Sequence, residues 1–420
     1  MRPAKVHVVG AGLAGLAAAV TLAQAGIAVM LHEAAPHAGG RCRSYDDPHL
    51  GCRIDNGNHL LMRGNCAAMA YLQMIGAADT LTGPDDAEFP FLDLASGERW
   101  VLRPGPGRVP WWLLDPTRRV PGTRLGDYAS ALRLLRANGE ARVADMLDRR
   151  SALYHRFWQP LAVAALNTAP EEGSAAMLAR VVAESFGRGG SACRPLVPKE
   201  GLSESLIEPA LATLARFGAG VRFATRLRAF DASGARVAAL RFEGESLPLD
   251  AGHAVVLAVP AQVATRLVPG LDAPQSFRAI LNAHFRIAAP ADAPLFIGLV
   301  GGTAEWVFRK RSVLSVTISA ADRLMDAPAE ELGPLLWQDV ARAYELAAEP
   351  MPPVQIVKER RATFAATPAE IRRRPPARTA WSNLVLAGDW TDTGLPATIE
   401  GAIRSGFAAA RHLLTAASSA

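Results

Sequence analysis

Cysteine is scarce in this chain. The four residues Cys42, Cys52, Cys66 and Cys193 form no CxxC pair and no zinc-ligand spacing. That excludes a disulfide scaffold and makes a reducing compartment the expectation. Histidines and cysteines gather between His32 and Cys66, but at irregular intervals, so no metal site is expected. Aromatic residues make up only 6%. No stretch interleaves them with arginine, which argues against nucleic acid as a partner. Lysine is nearly missing, since Lys5, Lys199, Lys310 and Lys358 are the only four among 45 basic residues. The net charge of +5 therefore rests on arginine. Two readings of it stand open: a compositional bias toward Ala and Arg, or attraction to an anionic surface such as a bilayer. Charged residues are few (20%) and hydrophobic ones plentiful (50%), which excludes a disordered chain.

Long uncharged runs are absent with one exception. Val6 to His32 carries no charge apart from its two histidines and is long enough to cross a bilayer. Yet it reads as strand, turn, helix and strand: VHVVG, AGLAG, LAAAVTLAQAG, IAVMLHE. It also lacks a signal-peptide cleavage pattern. The expectation is a buried parallel βαβ unit in a cytoplasmic protein of two or three domains, at roughly 150 residues per domain.

Beyond that unit, residues 34–66 are loop-rich, and residues 123–167 carry helical periodicity, notably LGDYASALRLLRAN and the stretch from Arg142 to Ala165. After Pro195 comes a helix closing at Gly218 and Gly220, then the short strands VRFATRLRAFD, ARVAALRFEG and HAVVLAVP. Residues 276–350 mix the strands AHFRIAA, PLFIGLV, EWVFRK and SVLSVTISA with one helix near 328–348. The end of the chain reads as strand, loop and helix.

Gly10-x-Gly12-x-x-Gly15 follows the first strand, with Leu13 and Ala14 opening the helix, and Glu33 closes the next strand. Each part has a physical reason. Gly10 permits a tight turn, Gly12 lets the backbone approach a pyrophosphate, and Gly15 lets helix and strand pack closely. The helix N-terminus offers free N–H groups to phosphate. Glu33 stands where a carboxylate accepts from ribose hydroxyls. This signature by itself does not separate NAD from FAD. No second Gly-rich βαβ unit for NAD(P)H follows, so the sequence does not name an electron donor.

Gly39-Gly40-Arg41, soon after Glu33, extends the pattern. The opening unit and this triplet together resemble the two-dinucleotide-binding signature of the FAD-dependent amine oxidase and phytoene desaturase superfamily. LVLAGDW with Gly388-Asp389, followed by Pro396-Ala397-Thr398-Ile399-Glu400-Gly401-Ala402, resembles the same superfamily at the other chain end. The resemblance implies an α/β fold: a Rossmann-type FAD domain with an inserted mixed α+β substrate domain. It places the FAD domain at 1–75, 195–275 and 355–420, and the substrate domain at 76–194 and 276–354. It puts Arg41 near the pyrophosphate, Gly57 in the loop under the flavin and Leu227 against adenine. Asp389 falls on the ribityl chain, and the N–H groups of Thr398 and Ile399, after Ala397, face flavin N1 and O2. With no cysteine after Cys193, FAD is expected to be non-covalent.

DNGNHLLMRGN (Asp55 to Asn65), FWQPLAVAALNT (Phe157 to Thr168) and GGTAEWVFRK (Gly301 to Lys310) resemble one branch, the squalene-associated FAD enzymes known as bacterial hydroxysqualene dehydroxylases. One departure is Asn58, where that branch carries Gln. The resemblance implies hydride transfer from reduced FAD to an allylic carbon of a lipid alcohol, with loss of water. His59, Asn58 and Asp55 are the candidate catalytic residues. His59 is the expected acid, because an unperturbed imidazole titrates near neutral pH; a structural histidine is the other reading. Asn167 and Trp306 are candidate substrate-binding residues, the Trp as a cation-stabilising face or a core aromatic. Two rivals stand beside this reading: an oxidative FAD desaturase or amine oxidase, and a prenyl-lipid carrier of the Rab GDP-dissociation-inhibitor type. Finally, Trp111-Trp112-Leu113-Leu114, flanked by Arg108, Arg118 and Arg119, suits a peripheral contact with the inner face of the cytoplasmic membrane. A loop folded on the substrate domain is the alternative.

Overall fold

In the computed structural model, residues 2–415 are described. Strand Lys5–Val9 pairs in parallel with Ala28–His32 on one side and His253–Leu257 on the other. Gly220–Arg222 and Leu384–Leu386 complete a five-stranded parallel sheet. Such strands are apolar throughout because both faces are covered. Val6 and Val8 face the helices Leu13–Gln24 and Ile399–Thr415. The alanine-rich surface of the first helix lets the last one come very close: a Cβ on Gly406 would lie 2.3 Å from the Ala14 carbonyl oxygen. The other face packs beneath an antiparallel meander, Leu227–Ser233, Arg236–Phe242 and Ser246–Pro248. Between these layers lie His7 and His32, whose rings stack at 5.5 Å and share a 3.2 Å hydrogen bond. Burial pushes them down to about 3 and about 4, respectively.

A second sheet has seven strands, in the order Val354–Phe364, Phe277–Phe285, Leu314–Ile318, Trp306–Arg309, Phe296–Val300, Phe89–Asp93, Arg99–Leu102. One face of its centre, including Leu281, Phe285, Val316 and Ile318, packs on the helix Ala329–Tyr344 through Leu332, Leu336 and Trp337. The opposite face looks into a cavity. Strand Val354–Phe364 corrects the expected division of the chain. Most of it falls in the stretch 355–420 assigned to the cofactor domain, yet it hydrogen-bonds along Phe277–Phe285 and so belongs with the second sheet. The helical periodicity of 123–167 is also cut. Helices Ser130–Leu135 and Val143–Met146 are separated from Gln159–Leu166, and Leu147 turns extended between them.

Candidate functional site

A cavity of about 900 Å³ runs between the two sheets. Every residue expected at the cofactor lines it except Gly15. Gly10 has φ +105°, and a Cβ there would stand 2.3 Å from the Ala258 carbonyl oxygen, so only glycine makes this turn. A Cβ on Gly15 would fall 1.9 Å from the Gly10 carbonyl oxygen, which is why this glycine serves packing and not the cavity. Gly12 is different: its missing Cβ would meet nothing within 4 Å. The space lies over the N-terminus of helix Leu13–Gln24, which has no side-chain cap and no acidic residue in its first turn. Its N–H groups are open to an anionic ligand.

Glu33 is held by the N–H groups of Ala11 (2.7 Å) and Ala35 (2.8 Å). These leave lone pairs of the carboxylate free for further donors. Arg41 pairs with Asp389 at 2.7 Å, bringing together residues from both chain ends. The loop carrying Asp389 is pinned from behind by Arg374, a buried arginine that sequence reasoning missed. Its guanidinium donates to the Asp389 carbonyl (3.0 Å) and the Thr393 hydroxyl (2.9 Å). Ala397, Thr398 and Ile399 face the cavity at the start of the closing helix. Open glycine space, an uncapped helix N-terminus, a poised carboxylate and a second helix start together fit a flavin dinucleotide.

The far end is walled by Phe89, Phe91, Phe157, Phe186, Trp306 and Phe308. Here the candidates separate. Asp55 does not line the cavity. It ion-pairs with Lys310 and accepts from Ser44 (2.6 Å) and the Leu202 N–H (2.9 Å). Burial alone would raise its pKa, but Lys310 and these donors outweigh burial and hold it below the usual carboxylate range. The expected role as a proton donor is corrected: Asp55 is an ionised structural anchor. His59 does line the cavity, but burial pushes its imidazole down to about 4. Desolvation penalises the imidazolium here, which goes against the expectation of an unshifted histidine at neutral pH.

Asn167 also turns out differently. It sits in the left-handed region (φ 49°) at the end of helix Gln159–Leu166. Its amide donates to Thr363 (2.9 Å) and accepts from the Ala320 N–H (2.6 Å). Asn167 borders the cavity, and both its side-chain polar atoms are engaged within the protein. Glu305 accepts from the neighbouring Ser319 N–H at 2.8 Å. Two segments that stood out in the sequence thus meet at one turn. Trp306 stands at the cavity wall, edge-on to Phe91 at 5.5 Å.

Asn58 is buried and lines the cavity. Its amide nitrogen donates to the hydroxyls of Ser315 (2.7 Å) and Thr317 (3.0 Å). Ser315 and Thr317, with their partners His284 and Asn282, were not singled out from the sequence. The available signal was alternation: Leu314–Ile318 was legible as a strand with its polar residues on one face, whereas the strand read as AHFRIAA begins at Ala283 and leaves Asn282 outside it.

Residues 13–414 match the model of the flavin-containing amine oxidoreductase family. The chain is 52% identical over 412 residues to a hydroxysqualene dehydroxylase of Rhodopseudomonas palustris, covering 98% of each chain. It is 47% identical over 408 residues to one of Sinorhizobium fredii, covering 97% of this chain and 98% of that one. Among solved structures, an oxidoreductase from Methanosarcina mazei superposes with a TM-score of 0.73 at 13% identity, covering 96% and 99% of the two chains. Cyclohexylamine oxidase from Brevibacterium oxydans superposes at 0.71 and 15% identity, covering 99% of both. At those identities the likeness shows the fold.

Proposed function

The chain belongs to the flavin-containing amine oxidoreductase family, and from that premise we propose that it is an FAD-dependent oxidoreductase converting hydroxysqualene to squalene by reductive loss of the hydroxyl. The observation that carries this reading is the near full-length similarity to hydroxysqualene dehydroxylases at 45–52% identity. FAD, when bound and reduced, supplies the hydride to the carbon that loses oxygen; the hydroxyl leaves with a proton as water.

This chain's own residues bind and orient. Gly12 and the N-terminus of helix Leu13–Gln24 take the pyrophosphate, Glu33 the adenosine ribose, and Asp389 the ribityl chain. The aromatic end gives a hydrocarbon a dry site. Asp55 lies outside the cavity and is held ionised, so it does not supply the proton, and burial disfavours a charged His59.

The lipid alcohol substrate reaches the cavity from an anionic membrane surface. Among the described residues no helix is long and apolar enough to span a membrane. Six of the nine exposed large apolar side chains nonetheless lie between Val109 and Leu135. Arg108, Arg124, Arg133 and Arg136 are exposed among them. Apolar side chains ringed by cations suit anionic lipid. The strip adjoins the aromatic end: Gly190 N–H donates to the Gly105 carbonyl at 2.7 Å, tying the base of the strip to the turn that follows the cavity residue Phe186.

The test is anaerobic mixing of dithionite-reduced, FAD-loaded protein with hydroxysqualene, free dithionite having been removed. Squalene should form as the flavin reoxidises, one for one in a single turnover. Flavin that stays reduced would replace this reading with the oxidative desaturase one.

A further inference from the structure

On the cavity side of the second sheet two adjacent strands carry a buried polar ladder, of which Asn282 and Thr317 line the cavity. On the adjacent strands Phe277–Phe285 and Leu314–Ile318, Asn282 stands opposite Thr317 and His284 opposite Ser315. Asn282, His284 and Ser315 are at most 2% exposed. Trp306 and Phe308 flank the ladder from the next strand. Buried polar groups are unfavourable unless satisfied, and in this ladder two side-chain atoms have no partner, Asn58 Oδ1 and His284 Nε2.

The direction of each hydrogen bond follows from its ends. The Asn56 carbonyl can only accept, so the amide nitrogen of Asn282 turns to it (3.3 Å). The amide oxygen of Asn282 then faces Thr317 and accepts its hydroxyl proton (2.7 Å). With its proton committed, Thr317 Oγ1 accepts from the Asn58 amide nitrogen (3.0 Å). The same nitrogen donates to the Ser315 hydroxyl oxygen (2.7 Å), which also shares a hydrogen bond with His284 Nδ1 (2.7 Å). Burial pushes this imidazole down to about 4, so it is neutral. The amide nitrogen of Asn58 therefore faces the ladder, and its Oδ1, buried and accepting nothing, belongs to a residue of the cavity wall.

We propose that Asn58 Oδ1, held in place by Thr317 and Ser315, is the anchor for the substrate's hydroxyl, accepting its O–H and thereby selecting an alcohol donor over the hydrocarbon product. This rests on the functional reading above. Asn58 touches the substrate, and Thr317 and Ser315 are positioning residues acting through it. An acceptor-only anchor leaves the lone pairs of the hydroxyl oxygen free for the proton that makes it a leaving group. The product has no donor, loses the contact and departs. An ether of the same alcohol has no donor either and is rejected.

The experiment uses the FAD-loaded protein with oxidised flavin, which cannot turn the alcohol over. Binding of hydroxysqualene, its methyl ether and squalene is followed by perturbation of the flavin spectrum. The wild type should hold the alcohol about tenfold more tightly than the other two, the scale of one hydrogen bond. Asn58→Ala should abolish that preference and leave squalene affinity within twofold. Thr317→Val, which keeps the side chain's shape, should weaken the alcohol alone by several-fold and serves if Asn58→Ala misfolds. Equal weakening of all three ligands, unchanged alcohol preference in Thr317→Val, or loss of flavin affinity in Asn58→Ala would each overturn the proposal. If the reduced wild type fails to convert hydroxysqualene, the functional reading itself is what fails.

Discussion

At the scale of single residues, two glycines of one motif serve different ends. Gly12 has open space where a Cβ would be and an extended backbone that any residue adopts. Gly12→Val should therefore fold with an unchanged thermal midpoint but lose FAD affinity by at least tenfold, read by flavin titration. Gly15 has backbone 1.9 Å from its absent Cβ. Gly15→Ala should lower the midpoint of the flavin-free protein, because helix and strand must separate. If Gly12→Val destabilises the apoprotein as Gly15→Ala does, the division is wrong. His59 gives a second prediction. A positioned general acid contributes roughly 10²–10⁴ in rate, but an imidazole held down at about 4 is uncharged at pH 7. His59→Gln should slow dehydroxylation by less than about tenfold with FAD retained. A hundredfold loss would show that the histidine is charged when the reactants are bound.

At the scale of elements, the segment Trp111–Leu114 is one helical turn with two faces. Trp111 and Leu114 are 71% and 63% exposed. Trp112 turns inward, edge-on to Tyr128 at 6.1 Å and beside Gly105. The sequence grouped all four residues, whereas the turn separates them. Replacing Trp111 and Leu114 together by Ser should reduce binding to anionic liposomes several-fold and leave flavin content intact. Trp112→Ser should instead lower thermal stability by opening a packed contact. Undiminished liposome binding in the Trp111/Leu114 double variant would remove this turn from the membrane contact.

At the scale of the whole molecule, three histidines besides His59 are buried neutral: His7, His32 and His284. Their folded pKa values, about 3, about 4 and about 4, lie below the ordinary 6.5. Between these limits the unfolded chain binds more protons than the folded one, so stability rises with pH and is lost as pH falls below 6.5. Each contributes at most about 1.4 kcal/mol per pH unit in that window. Glu305 works the other way, since burial raises its carboxyl to about 7. Stability from this one group falls as pH rises from 4.5 to 7. Three groups outweigh one, and denaturant midpoints should drop from pH 6.5 to pH 4.5. A flat profile would mean that the histidines gain partners the structure does not show.

The sequence alone determined the nucleotide end of this protein. Gly10, Gly12, Gly15 and Glu33 lie within one βαβ unit, so their chemistry is set by local turns and by the start of one helix, and local geometry is readable from spacing. It also singled out Arg41 and Asp389, from segments at both chain ends, which the structure brings into an ion pair. Tertiary structure decided the other end. Whether Asp55 is a donor depended on Lys310, far along the chain, and whether His59 is charged depended on what buries it. The hydroxyl ladder depended on register, because Asn282 meets Thr317 and His284 meets Ser315 only when two strands pair in one particular alignment. Burial, ion pairing and strand register are relations between residues distant in sequence, and these relations, more than residue type, set which groups carry a proton and which have an acceptor to spare.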